Sequence, residues 1–149
     1  MNRLKELEQL GQSLWLREIH GREDGDPPRV DLTDERLNGE IVRKLIAEGK
    51  VTAVHDVSDG GLLVALAEMA LASGIGAKID AMTSEFAFNE SQARYLVTVA
   101  AGAELDRGKV PFERIGTTGG DALVAGDSTV ALAALREASD SFFRDWMES

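Results

Sequence analysis

The sequence predicts an α+β domain, and three observations carry that prediction. Apolar residues first recur at helical spacing and then, beyond Gly76, give way to short runs rich in β-formers. Between the two regimes a strand-like run, Val51-Thr52-Ala53-Val54, enters a glycine turn and then an apolar helix. The length of 149 residues suits one domain, and 44% hydrophobic with 28% charged side chains is ordinary for a globular chain. The expected architecture is a mixed sheet of about four or more strands with helices on one face, the whole of residues 1–149 forming a single domain.

Taken in order, Leu4, Leu7, Leu10, Leu14 and Ile19 mark an amphipathic helix over residues 2–19, with a break near Gly11. His20-Gly21-Arg22-Glu23-Asp24-Gly25-Asp26-Pro27-Pro28 is a loop by its two Gly and two Pro. Thr33 or Asp34 caps a second helix with Leu37, Ile41, Leu45 and Ile46 on one face, and Gly49 closes it. The helix after the glycine turn buries Leu62, Leu63, Leu66, Met69 and Ala70 and ends at Gly74. Strands follow at 77–79, 95–100, 112–115 and 122–125. The last two are joined by a hairpin-like turn, Thr117-Thr118-Gly119-Gly120-Asp121. A final helix over 130–147 turns Leu132, Leu135, Ala138, Phe142 and Phe143 inward.

Charge excludes some functions. Sixteen Lys and Arg against 26 Asp and Glu leave a net charge of −10. The deficit is spread evenly, with 9 positive and 14 negative side chains in residues 1–75 and 7 and 12 in the remainder. Bulk attraction to nucleic acid or to an anionic membrane is therefore not expected. The absence of cysteine removes thiol catalysis, thiolate metal sites and disulfides. Residues 1–10 have no apolar core like that of a signal peptide, and the apolar stretch 62–75 is too short for a bilayer and interrupted by Glu68. A cytoplasmic location is the default expectation.

Ser58-Asp59-Gly60-Gly61 lies between the predicted strand and helix. Two glycines let the backbone turn sharply, and the helix start presents N–H groups and a positive dipole end, a setting for phosphate that needs no Lys or Arg. The same residues also read as a plain N-cap with a Gly turn. The turn is neither a P-loop nor a dinucleotide fingerprint. His55 and Asp56 stand at the strand end, His55 as an acid–base group or phosphate contact and Asp56 to orient it or to hold Mg²⁺; packing and capping roles are the alternatives. Glu90 and Arg94, in Phe88-Asn89-Glu90-Ser91-Gln92-Ala93-Arg94, read either as a structural ion pair or as cleft residues. No zinc site can be argued from His20 and His55, one in each segment. Nor does Ser58 sit in a strained nucleophile elbow. Trp15, Trp146 and five Phe are too scattered for a base-stacking platform.

His55-Asp56-Val57-Ser58-Asp59-Gly60-Gly61-Leu62, continuing to Ala67-Glu68-Met69-Ala70, resembles the signature of phosphoribosylformylglycinamidine synthases, the synthetase subunit type, of the aminoimidazole ribonucleotide synthetase superfamily. Three more segments match in order: Leu10-Gly11-Gln12-Ser13, then Gly25-Asp26-Pro27-Pro28-Arg29-Val30-Asp31-Leu32, and Phe88 to Arg94. The resemblance spans about residues 10–126 and leaves 1–9 as an extension. One departure is Asn89, where the family pattern has Gly; Asn tolerates positive φ, so the turn can survive.

The resemblance implies the final C-terminal domain of a longer enzyme built from paired domains. That enzyme would use ATP, Mg²⁺ and ammonia from a glutaminase partner to convert formylglycinamide ribonucleotide to its amidine. The missing N-terminal domains would hold most catalytic residues, so no catalytic residue is assigned here and the chain alone is expected to be inactive. Substrate or phosphate contacts fall, on the same ground, to His55, Asp56, Ser58, Asp59, Gly60 and Gly61. Two rivals stand beside this reading. One is another superfamily member of kinase or hydrogenase- or selenium-pathway type, against which the Pro-Pro-x-Val-Asp-Leu segment speaks. The other is a ligand-free interaction domain whose glycines serve packing. Apolar surface left by an absent partner domain also predicts a homodimer.

Overall fold

The computed structural model describes residues 10–80, 82–105 and 110–148. In chain order its elements are α1 (Leu14–His20), α2 (Leu32–Ala47), β1 (Ala53–Asp56), α3 (Gly61–Ser73), β2 (Ala77–Ile79) and α4 (Ser84–Phe88). They continue with β3 (Tyr95–Thr98), β4 (Gly116–Thr118), β5 (Ala122–Ala125), β6 (Ser128–Ala131) and α5 (Leu132–Glu148). The chain groups into two compact units, Met1–Leu66 with Thr83–Glu113 and Ala67–Met82 with Arg114–Ser149. The class is α+β, with a mixed four-stranded sheet and a separate two-stranded one.

In the first unit, α1 begins just past Gly11, as the glycine suggests. The Ser13 hydroxyl is buried and accepts from the Leu16 N–H, and Gly21 closes the helix at φ 62°. Residues 2–9 of the expected helix lie outside the described residues. Helix α2 starts earlier than expected: Asp31, not Thr33 or Asp34, is the cap, and its carboxylate accepts from both of their N–H groups. Its inward face also differs. Val42 and Leu45 are buried while Leu37 and Ile46 are exposed. The helix turns Asn38 and Gly39 toward β3, so that Asn38 Nδ2 donates to the Ala93 carbonyl at 2.8 Å and Gly39 faces the Tyr95 hydroxyl.

Strand β1 is shifted two residues from the expected run and takes in His55 and Asp56. Its antiparallel partner β3 sets the limits, pairing Ala53 with Thr98 and Asp56 with Tyr95. Helix α4 was not expected; Thr83 caps it, but at five residues it is too short to show a period. Leu10, Leu16, Leu45, Val57, Leu62, Leu66, Ala87 and Leu96 form the core here.

In the second unit, the strand at 77–79 and the strand at 122–125 form as expected. The order is β4-β2-β5-β6, with β2 antiparallel to β4 and parallel to β5. The run 112–115 is not a strand; β4 begins at Gly116. Thr117 to Asp121 is not a hairpin, because β2 lies between the two segments it joins. The link crosses the start of β2, where the Gly119 N–H donates to the Gly76 carbonyl at 2.7 Å and the Gly76 N–H to the Gly120 carbonyl at 2.8 Å. Residues 128–131 are strand rather than helix start, because Val130 pairs with Leu123 across a tight turn at Gly126. Helix α5 follows. Leu132 is buried, but Ala138 and Phe142 are exposed, unlike the expected inward stripe. The helix is tied at its beginning, by the Leu132 N–H on the Asp121 carbonyl and by Arg136 on the Leu71 carbonyl. The side chain of Phe143 lies outside the described residues.

Candidate functional site

The glycine turn stands between β1 and α3 as the sequence predicts. Val57 anchors it: the side chain is buried and its N–H donates to the Arg94 carbonyl at 2.9 Å. Ser58 and Asp59 then project from the surface while Gly60 and Gly61 are buried beneath them. Both glycines are left-handed, at φ 78° and 74°. A Cβ on Gly61 would come within 2.7 Å of the Phe88 backbone, so this glycine is required by packing as well as by conformation.

The amides of these glycines are engaged within the protein. The Gly61 N–H donates to the Ser58 carbonyl at 3.0 Å. The Gly60 N–H donates to Glu90 Oε1 at 2.8 Å, and the same oxygen accepts the Leu14 N–H at 2.9 Å. The turn does attract an anion, as a helix start should, but the anion it holds is the carboxylate of Glu90. One oxygen thereby joins the first turn of α1 to the entrance of α3.

Glu90 and Arg94 do not pair with each other; among the described residues no ion pair joins them. The carboxylate satisfies backbone donors, and the guanidinium satisfies backbone acceptors. Arg94 donates to the carbonyls of Asn89 at 2.9 Å and Phe86 at 3.3 Å and lies over the Phe86 ring. Burial lowers the Arg94 guanidinium pKa from its ordinary value, which leaves it charged. Asn89 has φ −68°, so no glycine-like conformation is needed there; the left-handed residue of this segment is Ala93, at φ 63°. The Asn89 side chain accepts instead from the Ser91 N–H at 2.6 Å.

His55 and Asp56 lie at the strand end, opposite Leu96 and Tyr95. The His55 Nδ1–H donates to the Asp56 carbonyl at 2.6 Å, and Asp56 Oδ1 lies 3.6 Å from the same nitrogen. Asp56 is otherwise exposed. Among the described residues no group of three or more His, Asp or Glu converges as a metal cage. His20 lies edge-on to Trp15, which also stacks on the ring of Phe88.

Sequence reasoning missed the role of Gln12. It is left-handed at φ 61°, and its Nε2 donates to the carbonyls of Glu23 at 2.6 Å and Gly25 at 3.0 Å. Beside it Gly11 packs against Gly25 and Asp26 with no room for a side chain. The adjacency of Gly11 to a polar residue before a helix cap was the available signal. Residues 10–14, 25–26, 58–61 and 88–94 therefore form one connected arrangement, although no two of these segments are neighbours in sequence.

Those four segments coincide with the motifs that carry the family resemblance, and comparison with known proteins agrees. The family model described as AIR synthase related protein, C-terminal domain, matches residues 4–127. A phosphoribosylformylglycinamidine synthase subunit PurL from Novosphingobium aromaticivorans is 61% identical over 140 residues. Proteins of the same name from Bradyrhizobium diazoefficiens and Zymomonas mobilis are 52% and 47% identical. Each comparison covers 93% of this chain but only 18–20% of the relative, so the chain spans about a fifth of their length. With the family model matching most of its residues, the chain belongs to the AIR synthase related protein, C-terminal domain, family.

Proposed function

We propose that this chain is the C-terminal domain of a cytoplasmic phosphoribosylformylglycinamidine synthase. The reaction is the ATP-dependent ligation of glutamine-derived ammonia to formylglycinamide ribonucleotide in purine biosynthesis. The observation that carries this reading is the convergence of the four motif segments, with Glu90 Oε1 of one accepting from Gly60 of a second and from Leu14, which directly follows a third. The naming of the relatives, over nearly all of this chain, supports it.

In this reading the ligand meets the exposed half of the turn, Ser58 and Asp59, with His55 and Asp56 at the adjoining strand end. Gly60 and Gly61 shape the turn from beneath, their amides already donated. Asp56 and Asp59 offer exposed carboxylate oxygens, the donor type Mg²⁺ takes; Mg²⁺ commonly accepts one or two protein carboxylates beside substrate phosphates. Bound there, the ion would neutralise phosphate charge that an acidic chain does not. The catalytic groups belong to the remaining four-fifths of the enzyme, so the chain alone is inactive. Its partners are those domains, a glutaminase, and a second copy.

A chimera tests this. Residues 10–148 replace the matching segment of the full-length Novosphingobium relative, and amidine formation is assayed with ammonia and ATP. Retained turnover in the chimera, with none from the chain alone, is the expected result. A folded chimera without turnover would overturn the reading. The engaged amides of Gly60 and Gly61 favour a second reading, an interaction module without a ligand. In that case Asp59→Asn in an active chimera leaves the KM values for the ribonucleotide and ATP unchanged.

A further inference from the structure

We propose that Glu90 is a positioning residue that couples the glycine turn to the N-terminal segment. The placement of residues 58–61 and of residues 10–26 then rises and falls together. What the turn does with a ligand rests on the function proposed above; the coupling itself does not.

The Gly60 and Leu14 N–H groups are donors without an intrahelical partner at the entrances of two different helices, α3 and α1, 46 residues apart in sequence. Both reach one carboxylate oxygen, at 2.8 and 2.9 Å. A half-buried carboxylate serving two helix starts is held by charge-assisted bonds and by two positive dipole ends. Displacing either donor therefore changes the acceptor seen by the other.

The coupling continues past Leu14. Ser13 is buried and caps α1, and Gln12 before it carries the loop through bonds to Glu23 and Gly25. On the other side, Glu90 is held by its own segment. Arg94 binds the carbonyls of Asn89 and Phe86, and the Arg94 carbonyl accepts the Val57 N–H at the start of the turn. Glu90 thus stands between a turn and a loop that share no hydrogen bond of their own among the described residues.

Amide hydrogen exchange on this chain tests the proposal without substrate, so it stands or falls independently of the proposed reaction. Glu90→Ala is expected to lower the protection of Gly60 and Leu14 together, by about tenfold to a hundredfold for lost bonds to a charged acceptor. Glu90→Gln, which keeps an acceptor oxygen, is expected to restore most of both. A second variant removes one donor without touching Glu90. Leu14→Pro deletes the N–H at the first helical position, where Pro is tolerated, after a Ser13 already extended at φ −73° and ψ 152°. Its expected mark is a change in the Gly60 amide shift and exchange. Loss of protection at Gly60 alone in Glu90→Ala, or a Gly60 amide indifferent to Leu14→Pro, would overturn the coupling. If Glu90→Ala fails to fold, Leu14→Pro and Glu90→Gln decide it.

Discussion

Gly11 and Gly25 lie backbone to backbone: a Cβ on Gly25 would stand 2.9 Å from the Cα of Gly11, and one on Gly11 would run into the carbonyl oxygen of Asp26. This contact fixes the loop after α1 against the residues before it. Gly11→Ala is expected to cost about 1–3 kcal/mol, as overpacking against backbone does. Thermal or urea unfolding reads it. A variant as stable as the parent would show that the loop can withdraw freely.

Gly61 and Gly74 separate two reasons for a glycine. Both are left-handed, but a Cβ on Gly61 meets the Phe88 backbone at 2.7 Å, whereas nothing lies within 4 Å of one on Gly74. Gly74→Ala should cost about 1–2 kcal/mol for conformation alone. Gly61→Ala should cost about 1–3 kcal/mol more, because backbone must move. Equal midpoint shifts in paired urea melts would refute the distinction.

Arg94 binds two carbonyls with a planar fork, which Lys cannot reproduce. Arg94→Lys is expected to lose about 1 kcal/mol and to loosen residues 86–94, while leaving the charge unchanged. Exchange protection at Asn89 would report it; an unaltered profile would mean that charge alone suffices.

Asp24 and Arg22 are expected to make the loop respond to acid. Its carboxylate accepts from Arg22 Nε at 2.8 Å, and this bond holds the Asp24 pKa below the ordinary aspartate value. A carboxyl lowered on folding contributes order at pH above its unfolded pKa and loses it as pH falls through the lower, folded one. Loop 22–26 is therefore expected to stay ordered at neutral pH and to loosen only on the acid side of the usual aspartate range. Amide shifts of residues 22–25 followed down in pH measure this. Asp24→Asn should abolish the acid-side transition, and its persistence would assign the titration elsewhere.

The sequence by itself determined the features whose causes sit within a few residues. The break near Gly11, Gly49 and Gly74 after their helices, and the β-rich runs at 77–79 and 122–125 act through local conformation and nearest backbone groups. The turn at 58–61 was legible on the same ground, and so were the three ordered motifs around it. Only the tertiary structure decided where the partners of distant groups lie. Glu90 was readable as a charge, but its acceptor role depends on Gly60, 30 residues away, and on Leu14, 76 residues away. On α2 it is Val42 and Leu45 that are buried, with Asn38 reaching Ala93, and the strand at 128–131 was set by pairing with β5, against the helical pattern that follows. The physical reason is the same in each case. A backbone or half-buried polar group finds its partner wherever the fold brings one, and spacing along the chain carries no record of which partner that will be.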